Sequence, residues 1–195
     1  MKKLLFAVII ICSSFTLSFS AWPKFYIDGG GGMVIESPTK AGYIISGTAS
    51  IGIEFIDHFS VYFQFQMGGL KHNDYPVPFD NIDLGSMTLA VGFEYSHYFG
   101  RFGILGGISF GKYDKTYLWN GGDQYPNSEG DGFMGALNIG VSFLATQYIE
   151  PFVKFQYILG IMGYNDTAWP IDMDIAFYVG VRFNIFKTKH LDKGY

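Results

Sequence analysis

Ile175-Ala176-Phe177-Tyr178-Val179-Gly180-Val181-Arg182-Phe183-Asn184-Ile185 is the stretch on which the reading of this chain turns. In an extended backbone Ile175, Phe177, Val179, Val181, Phe183 and Ile185 point one way, and Ala176, Tyr178, Gly180, Arg182 and Asn184 the other. Successive side chains of a strand alternate between its faces, so this period of two predicts a strand over 172–186 with one apolar face. The pattern recurs upstream. Over 43–56, Ile45, Ala49, Ile51, Ile53 and Phe55 alternate with Ser46, Thr48, Ser50, Gly52 and Glu54. In the next segment Val61, Phe63, Phe65 and Met67 alternate with Tyr62, Gln64, Gln66 and Gly68. Further segments near 24–36, 86–98, 102–113, 133–145 and 150–161 bring the total to eight, with the odd-numbered positions read as the more apolar throughout.

The connections alternate in length. Short turns are expected around Asp57-His58, Phe99-Gly100-Arg101 and Thr146-Gln147, and long loops over 37–42, 71–85, 114–132 and 162–171. Strands joined in this way run up and down, with both chain ends on the short-turn side.

Which face points outward separates a membrane barrel from a soluble β-sandwich or lipocalin-like cup. A solvated exterior needs charge, yet the less apolar face is mostly Gly, Ser, Thr, Ala and Tyr. Every strand places a glycine there: Gly30, Gly52, Gly68, Gly92, Gly107, Gly140, Gly160 and Gly180. Small residues suit the interior of an eight-stranded barrel, which side chains just fill. Composition agrees. The chain is 49% hydrophobic and 19% aromatic but only 15% charged, against about a quarter charged in ordinary globular chains. No run after residue 20 is long enough for a membrane helix, whereas a barrel strand spans with about 10 residues. The expectation is an all-β, eight-stranded antiparallel up-and-down transmembrane β-barrel. Phe55, Phe93, Tyr95, Phe102, Phe143 and Phe183 fall near the short-turn ends, and Tyr43, Phe133 and Tyr157 near the long-loop ends, as interfacial girdles require.

The N-terminus reads as a secretory signal over 1–20: Lys2 and Lys3, an apolar stretch from Leu4 to Ile11, and Ser18-Phe19-Ser20 before Ala21. The barrel then occupies 21–186, and 187–195 forms a short periplasmic tail. The single cysteine, Cys12, lies inside the signal, so disulfides and thiolate metal sites are not expected. Loss of Lys2 and Lys3 leaves 11 basic against 17 acidic residues, a net charge of −6 that excludes nucleic acid as a natural partner.

With the signal, the eight alternating segments and the ending Tyr178-Val179-Gly180-Val181-Arg182-Phe183-Asn184-Ile185-Phe186, the chain resembles the small outer-membrane β-barrel family of OmpX-like and OmpA-type barrels. That resemblance implies localisation in the outer membrane, contact with outer-membrane lipid, and insertion by the barrel-assembly machinery, for which the aromatic-ended last strand looks like the signal. It also implies interior salt bridges that plug the lumen.

Interior charges must find partners, because an unpaired buried charge costs several kcal/mol. Asp28, Lys154 and Arg182 are expected to cluster at similar depth on strands one, seven and eight, with Glu54 and Glu150 lower and Glu94 on the far wall. Tyr75, Phe79, Tyr117, Trp119, Tyr125 and Trp169 are candidate loop anchors for an extracellular protein or surface ligand. The expected function is non-enzymatic, in envelope structure with loops for adhesion or binding. An outer-leaflet lipid hydrolase would need a nucleophile and a base in reach of each other. His72 is the external histidine and Asp74 lies beside it, but no serine is within four residues. A soluble periplasmic barrel holding a small apolar ligand is the other alternative. Asp123, Glu129 and Asp131 lack the order of a calcium loop, so neither metal nor cofactor is expected.

Overall fold

The structure is a computed structural model that describes residues 23–35, 43–55, 58–72, 82–119, 128–164 and 171–186. It contains eight strands: β1 (Lys24–Ile35), β2 (Tyr43–Phe55), β3 (Phe59–His72), β4 (Ile82–Phe99), β5 (Phe102–Trp119), β6 (Ser128–Phe143), β7 (Ile149–Tyr164) and β8 (Ile171–Asn184). Each pairs antiparallel with its sequence neighbours, and β8 pairs with β1 to close an up-and-down barrel. Closure leaves the ladder without an edge, which is what a sheet in lipid requires.

The strands run further than the alternation indicated. Positions 82–85, 114–119, 128–132 and 162–164, assigned to long loops from the sequence, are strand. Tyr117 and Trp119 therefore belong to β5, where they pair with Leu84 and Ile82, and are not loop residues. The parity also breaks once. Phe99 pairs with Phe102 across a two-residue turn whose Gly100 has φ 62°, a conformation glycine adopts without strain. A pair three residues apart puts an odd and an even residue on one face. In β5, therefore, Phe102, Ile104, Ile108 and Phe110 point outward, and Gly103, Leu105, Ser109, Tyr113 and Lys115 inward. The pairing of Phe102 with Phe143 restores the even-inward parity in β6.

The outward face is the apolar one: Ile51, Phe63, Met67, Phe102, Phe133 and Ile139 are all more than half exposed. Among the described outward-facing strand residues the charges are Lys112, Asp114 and Asp131, all near the long-loop end. Below them lies an uninterrupted apolar band of about the 25 Å expected for a membrane barrel. The inside is packed, with buried polar and charged side chains at mid-height and an apolar cluster that includes Val34, Ile44, Met134 and Ile158 towards the long-loop end; an apolar outer face around a filled inside is the reverse of a soluble, ligand-holding cup.

Register sets the height of each residue. Passing from partner to partner round the barrel, from Lys24 through Glu54, Ser60, Glu94, Gly107, Asn138, Gln156 and Ala176, the path returns to β1 at Val34, ten residues above its start. With eight strands that stagger tilts the strands by about 40°. Each step to the next strand then climbs about 3 Å, and each residue along a strand about 2.5 Å. On this scale the short-turn rim is nearly level, while β5 and β6 rise about 12 Å above the long-loop ends of strands β1 and β2.

Candidate functional site

The interior is organised around buried charge. Arg182 on β8 donates from Nη2 to Asp28 Oδ2 at 3.2 Å and to Glu94 Oε1 at 2.7 Å. Lys154 on β7 donates to Glu94 Oε2 at 2.7 Å and lies 3.8 Å from Asp28. Asp28 also accepts a hydrogen bond from Ser50. The structure thus joins Asp28, Lys154 and Arg182, and places Glu94, which sequence reasoning set apart on the far wall, at the centre of the same group. Register supplies the reason: Glu94 lies three strand steps from Lys24, a climb of about 9 Å, and Asp28 lies four residues up β1, about 10 Å. The two carboxylates are level, and the long Arg182 and Lys154 side chains reach both.

Glu54 and Glu150 do not join this group. Glu54 accepts from Lys24 at 2.6 Å, and Glu150 accepts from the Tyr98 hydroxyl at 2.8 Å, nearer the short-turn end. Two tyrosines pack against the group, Tyr26 from the short-turn side and Tyr62 from the long-loop side. Tyr26 lies on Gly52 and Tyr62 on Gly92, their direct cross-strand partners, and a β-carbon on either glycine would overlap the ring. An aromatic ring covering a strand glycine fills the space the missing side chain leaves. The Arg182 guanidinium stacks 4.0 Å over the Tyr26 ring, so the cation is held by two acids and one π face.

A further layer, absent from the sequence reading, lies towards the long-loop end. Lys115 Nζ is 2.8 Å from Asp174 Oδ2, the same oxygen accepts from the Tyr113 hydroxyl at 2.6 Å, and both charged side chains are almost wholly buried. Asp174 was legible as an inward position of β8. Lys115 was not, because charged and aromatic residues break the alternation over 114–119 and the Phe99–Phe102 turn reverses the parity of β5. Lys24 was legible on the same grounds as Asp28 and was overlooked.

The mid-lumen is closed by these groups. A cavity of about 30 Å³, lined by Asp28, Ser50, Gln64, Asn138, Lys154 and Gln156 among others, has room for one or two waters. Of the loop candidates, Tyr75, Phe79, Tyr125 and Trp169 lie outside the described residues, as does Asp74. His72 is the last residue of β3.

No protein-family model matches this sequence, and no curated protein matches it. Solved structures do. The crystal structure of Neisserial surface protein A (NspA) aligns over 84% of this chain and 99% of its own, at 14% identity and a TM-score of 0.65. The chain has the fold of the small eight-stranded outer-membrane β-barrels. OprG from Pseudomonas aeruginosa covers 83% of this chain and 95% of its own at 11% identity, with a TM-score of 0.58. Ail, the attachment invasion locus protein of Yersinia pestis, covers 84% and 97% at 12% identity, with a TM-score of 0.55.

Proposed function

We propose that the protein is a non-enzymatic integral barrel of the outer membrane, exported by a cleaved signal over 1–20, with adhesion or ligand binding carried by its long-loop end. The observation that carries this reading is the filled lumen. Ion pairs from β1, β4, β7 and β8 cross the barrel at mid-height beside a cavity only about 30 Å³ in volume. A barrel so occupied does not pass solutes, so its specific work falls to the ends. Of the two rims, the short-turn rim is level. The other carries β4, β5 and β6 above the outward charges Lys112, Asp114 and Asp131, beyond the apolar band. Three of the aromatic loop candidates, Tyr75, Phe79 and Tyr125, belong to the connections of these taller strands. Attachment by Ail, a barrel of the same fold, supports a binding role for that end.

The test has two parts. Membrane fractionation, with a gel run with and without boiling, is expected to find the protein in the outer-membrane fraction with heat-dependent mobility. Replacing 74–80 and 121–127 by Gly/Ser segments is then expected to keep that mobility and abolish binding of producing cells to host cells or matrix. A soluble protein would overturn localisation. Binding unchanged by the loop replacements would overturn the assignment of function to this end.

A further inference from the structure

Two of the four histidines of the chain meet at the short-turn rim. His58 leads into β3, His97 lies near the end of β4, and their ring centroids are 5.6 Å apart with the planes inclined by 37°. The surroundings are aromatic: Tyr95 lies 5.7 Å from His58, and Phe99 packs edge-on to His97 at 4.6 Å. Elsewhere on this rim the outward positions include Phe102, Phe143 and Phe183, ordinary girdle residues that bring no ligand atoms. The pair sets two imidazoles, each with nitrogen donors, side by side at one point of the rim.

The local hydrogen bonding orients one of them. His58 Nδ1 lies 2.8 Å from the Ser96 carbonyl oxygen, which can only accept, so Nδ1 carries the proton. In the neutral ring the lone pair is then on Nε2. A metal-bound histidine is typically held in this way, with its second ring nitrogen donating to a backbone carbonyl or carboxylate. The spacing fits as well. With metal–nitrogen bonds of about 2.05 Å, an ion lies about 3.2 Å from the centroid of a ring that turns a nitrogen to it, so two imidazoles with centroids 5.6 Å apart are close enough to share one ion once both turn to it, at an N–metal–N angle of about 120°.

We propose that His58 and His97 form a two-imidazole site for a late first-row divalent ion, Zn²⁺ or Cu²⁺, at the short-turn rim. Imidazole donors select these ions over Mg²⁺ and Ca²⁺, which take oxygen ligands. Among the described residues no group of three or more His, Cys, Asp or Glu is placed to hold a metal, so water or a lipid phosphate oxygen completes the coordination. The bound ion ties the β2–β3 turn to the end of β4.

The test is copper titration of the folded full-length barrel in detergent micelles, read by electron paramagnetic resonance, with zinc as competitor. The wild type is expected to bind one Cu²⁺ with coupling to two nitrogens, and zinc is expected to displace it only in large molar excess, since a nitrogen site holds Cu²⁺ more tightly than Zn²⁺. His58→Ala and His97→Ala are each expected to weaken binding by about tenfold or more and to leave coupling to one nitrogen. His72→Ala is expected to change nothing. Heat-dependent mobility of each variant shows that the barrel still closes. The proposal is overturned if the wild type shows no saturable copper site, or if the His58→Ala/His97→Ala double variant keeps the two-nitrogen signal.

Discussion

At mid-lumen two cations and two carboxylates from four strands share their contacts, whereas near the long-loop end Lys115 meets Asp174 with the Tyr113 hydroxyl on the same oxygen. In the first arrangement each cation lies within 4 Å of both acids, so either one alone still faces both charges. In the second, Oδ1 of Asp174 is buried without a hydrogen bond, and the carboxylate leans on what reaches Oδ2. Charge shared across several strands is tolerant of loss; charge held at a single oxygen is not.

Urea unfolding of the barrel in lipid vesicles would break or sharpen this contrast. The largest effect is expected for Lys115→Met, which leaves a buried carboxylate with the Tyr113 hydrogen bond, a loss of about 3–5 kcal/mol. Lys154→Met is expected to cost less, about 1.5–3 kcal/mol, because Arg182 still faces Asp28 and Glu94. Equal losses, or the reverse order, would show that sharing gives no protection. Tyr113→Phe removes one hydrogen bond to Asp174 and is expected to cost about 1 kcal/mol. Replacing the upper pair together, Lys115→Met with Asp174→Leu, is expected to cost less than Lys115→Met alone, since no buried carboxylate is left without its cation, the remaining loss coming from the Tyr113 hydroxyl that gives up its acceptor. Lys112→Ala is expected to leave the midpoint unchanged, because Lys112 meets Asp114 and Asp131 on the exposed outer face, where ion pairs contribute little. A clear shift there would mean that the outward charges stabilise the barrel rather than mark its boundary.

Much of the fold was open to a reader of the sequence. Alternation over 172–186 and 43–56 specifies which residues share a face, and the bland, glycine-marked face specifies which one must be inside a narrow barrel. The failures have definite causes. Asp114 to Trp119 read as loop because charged and aromatic residues interrupt the alternation where β5 leaves the apolar band, and above that band the sequence no longer needs one face apolar. The parity of β5 reverses across the two-residue turn that pairs Phe99 with Phe102, and Phe102, Ile104, Ile108 and Phe110 against Gly103, Gly107, Ser109 and Gly111 carry that reversal in the sequence itself.

The candidate site divides along the same line. That Asp28, Glu94, Lys154 and Arg182 point inward follows from position along each strand, since side chains alternate and the apolar set must face lipid. Their meeting does not follow from alternation, nor does the separation of Glu54 and Glu150 into a lower layer. It depends on the ten-residue stagger that lifts β4 until Glu94 is level with Asp28. The sequence by itself determined the faces, because burial acts on each strand separately. Only the closed barrel decided the heights, because stagger is a property of all eight pairings at once.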